Sequence, residues 1–183
     1  MSAIKISVQG IEASFHDVAA KKYFGAGAEI IYCNSFEASC LALVNGESEN
    51  CLMAIENSIA GPITKNYDLI NNFKLQVNDE ISLPVELHLM ALPEITIENI
   101  TEIHSHPVAI NQCSKFLQTH GDKKVIAMDD TAACAKRVAA NNLKNVAVIA
   151  GEATAKKYEL NILYHNIHDS ENNFTRFLIL SKK

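Results

Sequence analysis

This sequence predicts an α/β fold, on three observations. First, β-prone apolar runs and runs with helical spacing alternate along the chain, an order that builds βαβ units and largely parallel sheets. Second, 183 residues that are 48% hydrophobic and 20% charged can bury a sizeable core, as one large domain or two small lobes. Third, the central stretch "LQVNDEISLPVELHLMAL" alternates for longer than one strand needs. It reads as two strands, or one bent near Pro84, and suits a crossing between two α/β lobes. Composition alone also allows a single sheet.

The elements follow in order. "IKISVQG" is a strand, and "SFHDVAAKKYF" a helix with Phe15, Val18, Ala19 and Phe24 at helical spacing and Ser14 and Asp17 in capping-box-like positions. "AEIIYC" is a second strand, followed by the helix "SFEASCLALVNG" with Gly46 as its stop. "NCLMAIEN" is a third strand, ending in the polar "ENSIAG", and "NYDLINNF" a short amphipathic helix. After the central alternation come "ITEIHSH", the helix "PVAINQCSKFLQTH", the strand "KVIAMDD", the helix "TAACAKRVAANN" and the strand "NVAVIAG". A helix at "EATAKKY" leads through "LNILYHNIHD" to the closing strand "ENNFTRFLIL". With a central crossing, lobe one spans residues 1–79 with 159–183, and lobe two spans 80–158.

Composition narrows the function classes. A net charge of −5 without a dense Lys/Arg stripe weighs against nucleic acid, and an anionic ligand would need locally arranged donors. No run approaches the roughly 18 apolar residues of a membrane span, and "MSAIKISVQG" enters strand alternation without an apolar leader. Five cysteines without a C-x-x-C pair read as reduced thiols, so a cytoplasmic location is expected.

Chemistry concentrates at the strand-to-helix junctions. "GIEASF", "ENSIAG", "HSHPVAINQ", "DDTAA" and "AGEATA" place hydroxyl, amide or glycine residues at helix starts. Free N–H groups and the positive end of the helix dipole make such places suit carboxylates and phosphates. The plain reading of any one junction is capping, at about 1 kcal/mol each; several gathered at strand ends point to an anionic ligand. The closing strand adds Thr175 and Arg176 inside an apolar run, and Arg176 is one of two arginines among sixteen basic residues. A guanidinium grips a carboxylate through two parallel hydrogen bonds; the alternative is an arginine that bridges elements at the surface. His104 and His106 share a strand face, but no third or fourth metal ligand is evident near them. Glu56 could serve as an acid or base, although an acidic residue at a strand end is more often a hydrogen-bond anchor. There is no G-x-S-x-G, P-loop or G-x-G-x-x-G.

Four segments together resemble the prephenate dehydratase family, over nearly the whole chain. "VQGIEASFHDVAA" is similar to its Gly-x-x-Gly-[Ser/Thr]-aromatic opening, "AIENSIAGPI" to its Pro-Ile-Glu-Asn-Ser-x-x-Gly segment, and "SHPVAINQC" to its Ser-His-Pro-x-x-x-x-Gln-Cys. "NFTRF" resembles its Asn-x-Thr-Arg-Phe signature, the most specific of the four. Ala13 departs from a usual glycine, Ala54 from a usual proline, and Asp130 from a usual serine.

The resemblance implies a type II periplasmic-binding-protein-like fold: two α/β lobes, a double crossover and an active site in the interlobe cleft. It implies decarboxylative dehydration of prephenate to phenylpyruvate, with arogenate as the alternative substrate and a non-catalytic anion-binding module as the second alternative. Thr175 is then the catalytic residue, meeting the leaving hydroxyl. Arg176 holds a substrate carboxylate, Phe177 helps shield the site, and Asn57, Ser58, Ser105, Gln112, Thr131, Ser14 and Asn173 are candidate substrate-binding residues. No metal or organic cofactor is required, and a homo-oligomer, dimer or higher, is expected. Many relatives continue into a phenylalanine-binding ACT domain, which is not expected in this chain ending at Lys183.

Overall fold

A computed structural model of the chain describes residues 3–183. It divides into two compact units: the first ends at Pro84 and resumes over Asn173–Lys183, and the second is Val85–Asn172.

The first unit holds β1 (Lys5–Gln9), α1 (Phe15–Phe24), β2 (Glu29–Cys33), α2 (Phe36–Asn45) and β3 (Asn50–Asn57). These are followed by β4 (Gly61–Pro62), α3 (Thr64–Asn72) and β5 (Gln76–Pro84), with β11 (Phe174–Ser181) returning at the end of the chain. The sheet order is β2-β1-β3-β11-β5, with β4 paired to β3. β1 lies parallel to both β2 and β3, whereas β11 runs antiparallel to β3 and β5. Each face is apolar because the strand residues alternate. One face packs Ile6, Val8, Leu52, Ala54, Leu83 and Phe177 under Ala19 and Ala20 of α1. The other packs Cys51, Met53, Ile55, Leu178 and Leu180 under Cys40 and Leu43 of α2 and Ile70 of α3. Full burial of each large side chain contributes about 1.5–3 kcal/mol. Gly46 ends α2 in the left-handed region (φ 81°), as its position predicts.

The second unit holds β6 (His88–Ala91), β7 (Glu102–Ser105), α4 (Pro107–Gln112), α5 (Ser114–Thr119) and β8 (Lys124–Ala127). It continues with α6 (Thr131–Ala140), β9 (Val146–Ala150), α7 (Glu152–Tyr158) and β10 (Asn161–Tyr164). Its order is β10-β6-β9-β7-β8, parallel only for β7 with β8 and with β9.

Three expectations change. Both sheets are mixed rather than largely parallel, because the strands that follow each crossing enter antiparallel. The unit boundaries fall at Pro84/Val85 and Asn172/Asn173 instead of 79/80 and 158/159. β10 causes the second shift: it pairs antiparallel with β6 and so belongs to the second sheet. The helix expected over "PVAINQCSKFLQTH" breaks into α4 and α5 at Cys113, a buried residue with φ −115° and ψ 26°.

Candidate functional site

In the first unit the polar residues gather where β3 ends and β11 begins. Because β1 is parallel to β3 and β11 antiparallel to it, the start of α1, Asn57 and Thr175 lie at the same end of this sheet. That is the end where open α/β sheets take ligands.

Asn57 organises the group and is 8% exposed. Its Nδ2 donates toward Asn173 Oδ1 at 3.0 Å, the Phe174 carbonyl at 3.1 Å and Thr175 Oγ1 at 3.2 Å. Its Oδ1 accepts the backbone N–H groups of Ile59 and Ala60, at 3.1 and 2.9 Å. Both ends of the amide are therefore used, which fixes its orientation. Ser58 adds a reciprocal pair with Phe174: its N–H donates to the Phe174 carbonyl at 2.9 Å and its Oγ accepts the Phe174 N–H at 3.0 Å. Asn173, 4% exposed, closes the web.

Thr175 sits in this web as an acceptor. The Asn57 amide occupies an oxygen lone pair, and no acceptor among the described residues takes the Thr175 hydroxyl hydrogen. Thr175 keeps partial exposure. Its hydroxyl is thus held at the oxygen and left to donate outward, the arrangement a hydrogen-bond donor to a ligand needs.

Arg176, the next residue, is placed differently. Thr175 pairs with Asn57 and Leu83, Arg176 with Glu56 and Ser82, and Phe177 with Ala54 and Ile81. β3 carries an extra residue, Ile55, between the last two of its pairs, a β-bulge. Cross-strand partners share a face, so Thr175 and Asn57 lie on the α1 face with Phe177, and Arg176 lies on the α2/α3 face with Leu178. There Nη1 of Arg176 meets Glu56 Oε2 and Nη2 meets Glu80 Oε2, each at 2.8 Å. Glu80 and Glu56 both raise the guanidinium's pKa above its ordinary value through these hydrogen bonds. Arg176 is a three-strand bridge here, on the face opposite Thr175, instead of a guanidinium standing open for a carboxylate. Glu56 is an anchor, as its sequence position suggested.

Two further expected ligand residues are engaged elsewhere. Phe177 is fully buried (0% exposed) in the α1-side core, so it packs and does not line a surface. Ser14 caps α1, its side chain accepting the Asp17 N–H at 3.3 Å. The Asp17 carboxylate, itself buried, accepts from the Ala13 N–H, Lys21 Nζ and Tyr32 hydroxyl at 2.9, 2.9 and 2.8 Å. This ties down Ala13, whose φ of 68° lies where glycine is favoured. His16, missed in the sequence, lies edge-on to Phe177 at 5.0 Å between ring centroids and tilted to Phe36 at 5.4 Å. The residue keeps some exposure, but its Nε2 is sealed without a hydrogen-bond partner. Burial pushes its pKa down to about 4.

The second unit places its candidates separately. Ser105 is fully buried and donates to the Ile149 carbonyl at 2.7 Å, tying β7 to β9. Gln112 ends α4, 5% exposed, with its carbonyl accepting the Asp169 N–H at 2.7 Å. Thr131 opens α6, partly exposed, after Asp130, whose carboxylate caps the helix on the Ala133 N–H at 2.7 Å. His104 pairs with Glu102 at 2.8 Å, whereas His106 caps α4 through Nδ1. Their side chains part company, and no group of three potential metal ligands occurs among the described residues.

The family model described as prephenate dehydratase matches residues 6–183. Arogenate dehydratase/prephenate dehydratase 1 of Arabidopsis thaliana is 37% identical over 182 residues, covering 100% of this chain and 46% of the relative. The chain spans under half the length of the curated relatives it matches. Among solved structures, the prephenate dehydratase of Arthrobacter aurescens in complex with L-Phe superposes with a TM-score of 0.91 at 26% identity, over 98% of this chain and 61% of that one. A protein described as a quorum quenching acylase superposes at 0.87 with 29% identity, over 98% of this chain and 64% of that one. The methionine-binding protein MetQ, at 0.51 and 12% identity over 100% and 84%, shares the fold.

Proposed function

The chain belongs to the prephenate dehydratase family, and on that premise we propose that it converts prephenate to phenylpyruvate, CO2 and water, a carbon–oxygen lyase step in phenylalanine biosynthesis. The observation that carries this reading is the Asn57–Thr175 hydrogen bond, which leaves the Thr175 hydroxyl hydrogen for another acceptor. In the reaction the bond from the ring to its carboxylate breaks and releases CO2. That electron pair enters the ring, the C4–oxygen bond breaks, and the ring becomes aromatic. Hydroxide leaves and takes a proton to become water. Charge grows on the departing oxygen, so a donor aimed at it stabilises the transition state more than the ground state. Thr175 supplies that donor, and the Asn57 amide on its oxygen strengthens the donation by polarising the hydroxyl.

Arg176 acts in this proposal as a positioning residue. Through Glu56 and Glu80 it joins β3, β11 and β5 one residue beyond Thr175 and so sets the backbone that carries the hydroxyl. Direct carboxylate binding would have to use N–H groups that Glu56 and Glu80 leave over. The chemistry is proposed to proceed without metal, and the five free cysteines support a reducing compartment such as the cytoplasm. Assembly into a homo-oligomer is part of the same proposal and is read by light scattering.

Arogenate is the second reading, favoured by the names of the plant relatives. Incubation with prephenate and with arogenate, side by side, measures phenylpyruvate from one and phenylalanine from the other. Turnover of neither would refute the proposal; a larger kcat/KM for arogenate would move it to the second substrate.

A further inference from the structure

A cluster of histidines lies outside the site described above, within the second unit. His88 opens β6 and is 3% exposed. Its Nδ1 accepts the backbone N–H of Asn166 at 3.0 Å. From the other segment, His168 Nδ1 accepts the backbone N–H of Leu87 at 3.3 Å. Between them the Ile167 N–H donates to the Leu87 carbonyl at 2.8 Å. Residues 87–88 and 166–168 are therefore fastened by three hydrogen bonds, two of which end on imidazole lone pairs, one contributed by each side.

The tautomers follow from the donors. A ring nitrogen that accepts a backbone N–H carries no hydrogen, so each neutral imidazole holds its proton on Nε2. For His88 that Nε2 is sealed and without a hydrogen-bond partner, and the ring stands edge-on to His165 at 5.3 Å. Burial lowers the His88 pKa, the nearby His165 and His168 lower it further, and Glu86 and Glu152 oppose the shift.

We propose that His88 and His168 form a reciprocal clasp that holds the 165–169 loop to the start of β6 and releases it when the His88 ring is protonated. A proton from solvent on Nδ1 turns the acceptor into a donor. It then faces a backbone N–H donor, and the bond becomes a repulsive contact. Each ring closes the other's segment, so loss of either weakens the hold on both.

The loop has a second attachment. The Asp169 carboxylate accepts from Ser114 Oγ at 2.6 Å and the Lys115 N–H at 3.1 Å, and the Asp169 N–H donates to the Gln112 carbonyl at 2.7 Å. Opening the clasp leaves the loop held by the Ile167 N–H on the Leu87 carbonyl and by Asp169 at α4 and α5. The device stands on these contacts whether or not the proposed activity is correct.

The test uses the wild-type protein. Nitrogen-15 correlations of the rings give their tautomers and the titration of His88, and amide hydrogen exchange, corrected for its intrinsic pH dependence, is followed from about pH 8 down through that titration. Both rings are expected as Nε2–H tautomers at the upper pH. As His88 protonates, protection of the Asn166 amide should fall about tenfold, while the buried Val148 amide of β9 keeps its own. H88N retains an acceptor near the Nδ1 position but does not titrate, so it should keep protection and lose its pH dependence. An Nδ1–H tautomer in either ring, or unchanged Asn166 protection after His88 has protonated, would overturn the clasp. The wild-type measurements decide this even where a variant folds poorly.

Discussion

Thr175 and Arg176 are neighbours in the chain, yet the two faces of β11 use them in opposite ways. On the α1 face an uncharged amide fills one side of the Thr175 oxygen and leaves the hydroxyl hydrogen unspent. On the other face two carboxylates take up the Arg176 guanidinium. The strand thus presents one group whose capacity is reserved and one whose capacity is consumed within the fold. A polar residue in an apolar strand is therefore evidence of a task, while the face it occupies decides whether the task is chemistry or architecture.

The largest effect should come from the reserved group. Val matches the shape of Thr175 and lacks the hydroxyl. Removing one preorganised donor typically costs about 10²–10³ in kcat, so T175V should lose that much with KM and Tm little changed. Near-normal kcat in a folded T175V would erase the distinction between the two faces. N57A should follow closely, with about 10-fold or more lost in kcat and about 1–3 kcal/mol in stability, because it strips the holder of Thr175 and orphans the Ile59 and Ala60 N–H groups. A stability loss with intact kcat would make Asn57 a turn residue alone.

Much of this was legible in the sequence. The element order and the Gly46 stop are as the pattern predicts, and three of the four motif segments meet at one end of the first sheet, whereas "SHPVAINQC" lies in the second unit. The partners were not legible, because they depend on register between distant strands. Nothing local shows that Glu80 of β5 reaches Arg176, or that Ile55 bulges and so puts Asn57 level with Thr175. The same limit misplaced residues 159–172, since β10 shows its sheet only by pairing with β6. Ser105 and Phe177 look like site residues by motif, but burial gives one a strand-tying role and the other a core role.

His16 sharpens the comparison from the Thr175 side, because it packs on Phe177 as a neutral ring. Its folded pKa of about 4 lies below the ordinary 6.5. The stability it contributes is therefore complete above about pH 6.5 and is lost as pH falls toward about 4. By linkage the loss is on the order of 3 kcal/mol. H16L should remove that part of the acid destabilisation, seen as a smaller gap between urea midpoints at pH 7 and pH 4. Parallel pH profiles for wild type and H16L would show that the ring is not buried neutral in solution.

Smaller again is R176K. A lysine ammonium cannot span Glu56 and Glu80 with the fork of a guanidinium, so one of the two contacts goes. Because the bridge is partly solvent-exposed, Tm should fall by only a few degrees. As a positioning residue, Arg176 should affect kcat more than KM. A rise in KM of about 10-fold or more, with Tm unmoved, would return Arg176 to the role of carboxylate ligand.

The smallest effect, and the one that separates those two roles most cleanly, is expected of E80Q. The Glu80 side chain is 55% exposed, and its contact with Arg176 is open to screening by salt. Glutamine keeps the length and one acceptor, so Arg176 retains Glu56 and a weaker neutral contact. Tm should move by no more than a few degrees, and the difference from wild type should shrink as salt is raised. The kinetic outcome carries the argument. If Arg176 only joins strands, neutralising Glu80 leaves KM unchanged. If Arg176 also takes a substrate carboxylate, Glu80 competes with that carboxylate for the same cation, and its loss should lower KM, most visibly at low salt. An unchanged KM across that salt range keeps the two faces of β11 distinct, one for the reaction and one for the frame.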